Sequence, residues 1–147
     1  ILLLGAFTWS SGLSIGMSSI RYVMLSGQAD IIPIAVGITG VVFGSLSAYA
    51  LTSKKDFSFL SGYLFVALIS MVLFGLAAWI FHITFNTLII SGLGVLIFSG
   101  YVLYDTSNLL HRYDDGAYVA ATIALYLDIL NLFLFILRIL SGSSRRD

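Results

Sequence analysis

GYVLYDTSNLLHRYDDGAYVAATIALYLDILNLFLFILRIL, residues 100–140, decides how this chain folds. Two apolar stretches flank the short polar segment His111–Gly116, and each carries one carboxylate, Asp105 and Asp128, where its neighbours are built for lipid. Both stretches are long enough for helices, so the segment reads as an antiparallel hairpin. A charge inside a lipid-bathed helix is costly, which makes such residues rare and marks them as candidates for function.

The rest of the chain agrees with a membrane setting. Of 147 residues, 59% are hydrophobic and only 10% are charged, against roughly a quarter charged in soluble domains. Five apolar runs approach or exceed the roughly 20 residues that a helix needs to cross a bilayer. They predict helices over residues 1–20, 31–51, 59–81, 84–110 and 117–140. No strand-like alternation appears, and a lipid-exposed backbone must satisfy its own polar groups, so the expectation is an all-α polytopic transmembrane bundle forming one domain over residues 1–147. The chain opens inside an apolar run at Ile1-Leu2-Leu3-Leu4, without Met. This predicts a C-terminal portion of a longer, N-terminally truncated protein.

Composition also removes function classes. Seven basic and seven acidic residues give zero net charge, so nucleic-acid binding has no electrostatic support. There is no cysteine, hence no disulfide or thiol chemistry. No Ser/His/Asp spacing, HExxH, CxxC or glycine-rich phosphate loop appears, and the chain is not expected to be an enzyme or to hold a cofactor. An intramembrane aspartyl protease would need a glycine-flanked second Asp, whereas Asp128 lies in Leu127-Asp128-Ile129.

The connecting segments carry smaller signals. Gly12–Gly16 and Gly40–Gly44 are small-xxx-small patterns that predict close helix packing. Asp56 or Ser58 is placed to cap the third predicted helix. Lys54 and Lys55 suit an interfacial anchor, and Tyr22, Tyr49, Tyr63, Trp79 and Tyr118 fall near run ends, as an aromatic belt requires. Lys54, Lys55 and Arg112 fall on one side of the membrane and Arg21, Arg138, Arg145 and Arg146 toward the other. Basic-residue counting therefore leaves the orientation open.

Helical spacing then turns the two acids toward each other. Gly94, Phe98, Tyr101, Asp105, Asn108 and Arg112 recur in alternating steps of four and three, on one helical face. Asp128, Asn131, Phe135 and Arg138 share a face of the last helix. Across an antiparallel turn near residues 113–116, Asp105 and Asp128 reach similar depth. The polar stripe that supports them comprises Tyr101, Asn108, Asn131 and Arg138. Two carboxyl groups in contact in a low dielectric cannot both ionise cheaply, so they titrate as one unit and share a proton. Deprotonated, they offer hard oxygens of the kind Ca2+ prefers, but too few for a closed site, which takes six to eight. A structural alternative stays open at this stage, with Asp105 capping or bonding a neighbouring helix end and Asp128 pairing with Arg138 or with a basic residue missing from these segments.

Three segments carry a resemblance. They are Lys54-Lys55-Asp56-Phe57-Ser58-Phe59-Leu60, Leu103-Tyr104-Asp105-Thr106-Ser107-Asn108 with His111-Arg112, and Leu125-Tyr126-Leu127-Asp128-Ile129-Leu130-Asn131-Leu132-Phe133. Together they resemble the Bax inhibitor-1 (transmembrane Bax inhibitor motif) family, in a bacterial form, over essentially the whole chain. The resemblance implies a seven-helix bundle with the last helix at its centre, of which the five predicted here are the C-terminal portion. It further implies a pH-sensitive Ca2+ leak of the bacterial inner membrane, with Asp105 and Asp128 as the di-aspartyl sensor, and a cytoplasmic Lys54–Lys55 loop. Family members latch this pair with a basic residue on their second helix, a position with no counterpart here. The alternative is a regulator without transport that binds a membrane protease or other membrane proteins. In either case the partners are the lipid bilayer and, for the leak, Ca2+ and protons.

Overall fold

The computed structural model describes residues 30–53, 55–111 and 117–144, with isolated positions between 13 and 27. Most of the predicted helix over residues 1–20, with Gly12 and Gly16, lies outside the described residues, as do Lys54 and Arg112. The described chain forms four helices, α1 (Ile31–Thr52), α2 (Leu60–Ile80), α3 (Thr87–His111) and α4 (Ala117–Ser144). All four are long and apolar enough to cross a membrane, and this is a multi-pass membrane protein.

Local chemistry sets the helix boundaries. Pro33 falls in the first turn of α1, where its missing N–H costs no intrahelical bond. α1 stops at Ser53, whose backbone turns extended while its N–H still donates to the Tyr49 carbonyl at 2.8 Å. α2 ends in a left-handed cap. His82 takes a positive φ of 53°, and the Ile83 N–H reaches back to the Ala78 carbonyl at 3.0 Å, the backbone closure that usually recruits glycine.

The predicted start of the next helix at residue 84 moves to Thr87 because Asn86 is its cap. The Asn86 Oδ1 accepts the Leu88 N–H at 3.0 Å, satisfying one of the amides that a helix start leaves free. The expected cap on α2 takes a different form. Asp56 Oδ1 accepts the Ser58 N–H at 3.0 Å, so it folds the loop, and α2 begins with no side-chain cap. The first amides of α2 instead find loop carbonyls, Leu60 N–H bonding the Phe57 carbonyl at 3.0 Å.

The helices alternate direction. The α1–α2 loop, the end of α3 and the start of α4 therefore share one face of the bundle, called here the loop face. α1, α3 and α4 form the core, with Ile31 and Ala35 of α1, Phe98 of α3 and Leu132, Phe135, Ile136 and Leu137 of α4 buried together. α2 packs chiefly on α3, and Leu64 is its only buried residue.

Glycines set the close approaches, though not the expected ones. Gly40 and Gly44 have nothing within 4 Å of where a Cβ would stand, so among the described residues that pair is an open surface. The tight contacts fall at Gly94, against the Phe135 ring, at Gly100, against Leu64, and at Gly142, against Leu88. A helix without a Cβ lets a neighbour's side chain reach its backbone, and in lipid this packing does much of the work of helix association.

Candidate functional site: an intramembrane carboxyl pair

The site is a consequence of the α3–α4 register. The pairs Leu88–Gly142 and Gly94–Phe135 straddle the same turn, and continuing that register toward the loop face brings Asp105 opposite Asp128. The two carboxyl groups come together at one cavity.

Asp128 is 4% exposed, and among the described residues its Oδ2 has no hydrogen-bond partner. Asp105 is only partly buried. Both line a cavity of about 480 Å³ together with Tyr101, Asn131, Leu68, Phe98, Ala124 and Leu127. Asn131 is oriented by its own helix, its Nδ2 donating to the Leu127 carbonyl at 2.8 Å. That leaves the amide oxygen as its remaining acceptor. The pocket wall is otherwise apolar, with α2 contributing Leu68.

The polar stripe divides. Tyr101 and Asn131 meet at the cavity with the two acids. Asn108 is half-buried on α3 and does not line the cavity. Arg138 is exposed, and its guanidinium carbon stands 5.4 Å from the centroid of the Phe135 ring. Ten residues beyond Asp128, it is not the counter-ion considered from the sequence. No cluster of three metal-ligating acidic, His or Cys side chains occurs among the described residues.

Two structural supports were not read from the sequence. The Phe57 N–H donates to Ser107 Oγ at 3.3 Å, joining the α1–α2 loop to α3 two residues from Asp105. Phe57 itself is buried, 6.0 Å from the Tyr49 ring and 6.4 Å from Phe59 between centroids. The second is the aromatic stack beneath the acids. Phe98 lies 5.7 Å from Phe135 with near-parallel rings, and 5.9 Å from Tyr101. The sequence signal for it was Gly94, which sits on the Asp105 stripe and marks where a large side chain approaches.

These features define a class: a polytopic membrane protein whose last two helices bring two carboxyl groups together at one cavity. The family model described as "Inhibitor of apoptosis-promoting Bax1" matches residues 1–146, and the chain belongs to this Bax inhibitor-1 family. It is 40% identical over 141 residues to an uncharacterised membrane protein of Vibrio cholerae, covering 96% of this chain and 63% of that protein. It is likewise 40% identical over 142 residues to Bax inhibitor 1 of Schizosaccharomyces pombe, covering 96% of this chain and 52% of that protein. Similarity to the modulator of FtsH protease YccA of Escherichia coli is 40% over 141 residues, 95% of this chain and 63% of that protein. The chain thus spans between about half and two thirds of the relatives it matches.

Proposed function

We propose that this chain is the ion-handling part of a pH-sensitive Ca2+ leak, gated by Asp105 and Asp128. The observation that carries the reading is the acid pair lining a membrane-embedded cavity, with one buried carboxyl oxygen that no described residue satisfies. A buried acceptor left unmet is destabilising by about 1–3 kcal/mol, so the site gains by accepting a proton or a cation. Two carboxyl groups at one low-dielectric cavity titrate as a unit, and a change in the number of protons they hold changes the charge facing the cavity. Asp128, Asp105 and the Asn131 carbonyl are hard oxygens suited to Ca2+. Three such groups fall short of a closed coordination shell, which suits passage better than storage. The setting is the bacterial inner membrane, within a seven-helix protein of which residues 1–147 supply five helices, with the Lys54–Lys55 loop cytoplasmic.

The test is Ca2+ flux into proteoliposomes carrying the full-length protein, measured across pH. Asp105→Asn and Asp128→Asn are each expected to abolish the pH dependence. Flux and pH profile unchanged in both variants would overturn the proposal.

A second reading rests on a different observation, the 40% identity to the modulator of FtsH protease YccA. In that reading the chain regulates a membrane protease without transport. Crosslinking to a membrane protease by a protein that carries no Ca2+ flux at any pH would favour it.

A further inference from the structure

The acid pair is separated from the membrane face opposite the loops by aromatic rings, and the register that pairs the acids also pairs the rings. Phe98 precedes Asp105 by seven residues on α3, and Phe135 follows Asp128 by seven on α4. Seven residues are two helical turns, about 10 Å of rise, and bring each side chain back to nearly the same face. Because the helices are antiparallel, both steps lead away from the loop face. The rings therefore meet beneath the acids as the acids meet above them.

We propose that the Phe98–Phe135 stack is the hydrophobic constriction of the ion path, closing the floor of the acid-lined cavity. This rests on the reading that ions reach Asp105 and Asp128. Phe98 and Phe135 are 8% and 9% exposed, their centroids are 5.7 Å apart, and their planes lie within 24° of parallel. Phe98 also lines the cavity, so its ring is part of the wall that an ion beside the acids would meet.

Around the rings the core is apolar, and buried hydroxyls return about two turns beyond them, at Ser91 and Ser141. Leu132, Ile136 and Leu137 of α4 and Ile31 and Ala35 of α1 pack in the same cluster. An ion passing between the rings would shed its water with only apolar side chains in contact, the condition under which apolar constrictions hold a path shut.

Two further residues hold the stack in place. A Cβ on Gly94 would stand 2.6 Å from three atoms of the Phe135 ring, so the ring lies directly on the α3 backbone. Arg138, exposed on the side away from the acids, places its guanidinium carbon 5.4 Å from the same ring's centroid. It favours the ring's position through its face and sets a positive charge beyond the constriction, where it opposes cations. Arg138 is thus a positioning residue for the ring.

The chain has no cysteine, and once any cysteine of the full-length protein outside residues 1–147 is replaced by serine, a test independent of transport is open. Ala124→Cys puts a single thiol in the cavity wall, one turn from Asp128 toward the loop face. In reconstituted full-length protein, a membrane-impermeant maleimide is expected to label it from one membrane face only. Adding Phe135→Ala is expected to permit labelling from both faces and, with the native Ala124, to raise Ca2+ flux at least several-fold. Phe98→Val, a milder truncation, should move both readouts the same way and serves if Phe135→Ala does not fold. Folded variants that leave labelling sidedness unchanged would overturn the constriction, as would equal labelling of the Ala124→Cys protein from both faces without any ring substitution. Failure of the Ca2+ reading appears separately, as flux indifferent to Asp105→Asn and Asp128→Asn while the labelling result stands.

Discussion

α2 and α4 are both long, apolar, membrane-crossing helices, yet they occupy opposite extremes of the bundle. α4 supplies most of the buried core, including Leu132, Phe135, Ile136, Leu137 and Asp128. α2 buries only Leu64 and leaves Tyr63, Val66, Leu73 and Trp79 more than half exposed. In water such a contrast would follow from apolar content, because burial itself is the driving force. In lipid an apolar side chain is equally at home outside, so packing shape and polar groups decide which helix goes to the centre. α4 carries Asp128 and Asn131 and docks through glycine seats, whereas α2 carries no charge.

The sharpest way to break this comparison is to truncate the same residue type in both helices. Leu132→Ala removes a side chain with no exposure and should destabilise the protein by about 2–5 kcal/mol, as buried Leu-to-Ala changes do. Leu73→Ala, at a position 59% exposed, should stay within about 0.5 kcal/mol. Thermal unfolding in one detergent reads both. Equal losses would mean that α2 is as tightly held as α4.

Adding a methyl group tests the same contrast from the other side. Gly94→Ala forces the Phe135 ring off the α3 backbone, since the new Cβ would lie 2.6 Å from it. Overpacking of this kind costs about 1–3 kcal/mol. Gly75→Ala on α2 meets nothing within 4 Å and should be neutral or stabilising by up to about 1 kcal/mol, because glycine is the poorer helix former. Gly100→Ala falls between them, its clash being with the flexible tip of Leu64 at 2.7 Å. A Gly94→Ala variant as stable as Gly75→Ala would remove the seat that holds the aromatic stack.

This division explains what could be read from residues alone. Runs of apolar residues give the existence and approximate limits of helices, because a membrane span needs length and little else. The meeting of Asp105 with Asp128 was also legible, since one turn fixes antiparallel depth and the polar period fixes the face. What was not legible is which apolar helix touches which. Gly40–Gly44 has the spacing of a packing face and is open among the described residues, while Gly94 and Gly100 act as seats only because Phe135 and Leu64 arrive opposite them. Arg138 shares the Asp128 stripe by spacing, but length and charge let its side chain leave that face for the outer side of Phe135. Asn86 displaced a helix start by three residues through one side-chain hydrogen bond, a local competition that hydropathy does not register.

The smallest effect is expected where the two kinds of helix are joined. α2 meets α3 along an antiparallel seam in which Phe57 lies by Ser107 and Leu64 by Gly100, seven residues apart on each strand of the seam. Ser107 is 1% exposed, and its Oγ accepts the Phe57 N–H at 3.3 Å. Phe57 also offers its carbonyl to the Leu60 N–H, so one residue links the first turn of α2 to the turn of α3 that carries Asp105. Ser107→Ala removes the acceptor and leaves a buried amide unpaired, for a loss of about 1 kcal/mol. Ser107→Thr keeps the hydroxyl and should recover most of it if the extra methyl is accommodated. Hydrogen exchange distinguishes a local hinge from general loosening. In Ser107→Ala the amides of residues 57–61 should exchange faster, while those of α4 around Leu132 keep their protection. Equal acceleration in α4 would show that α2 is part of the core after all, and that its exposure is no measure of its independence.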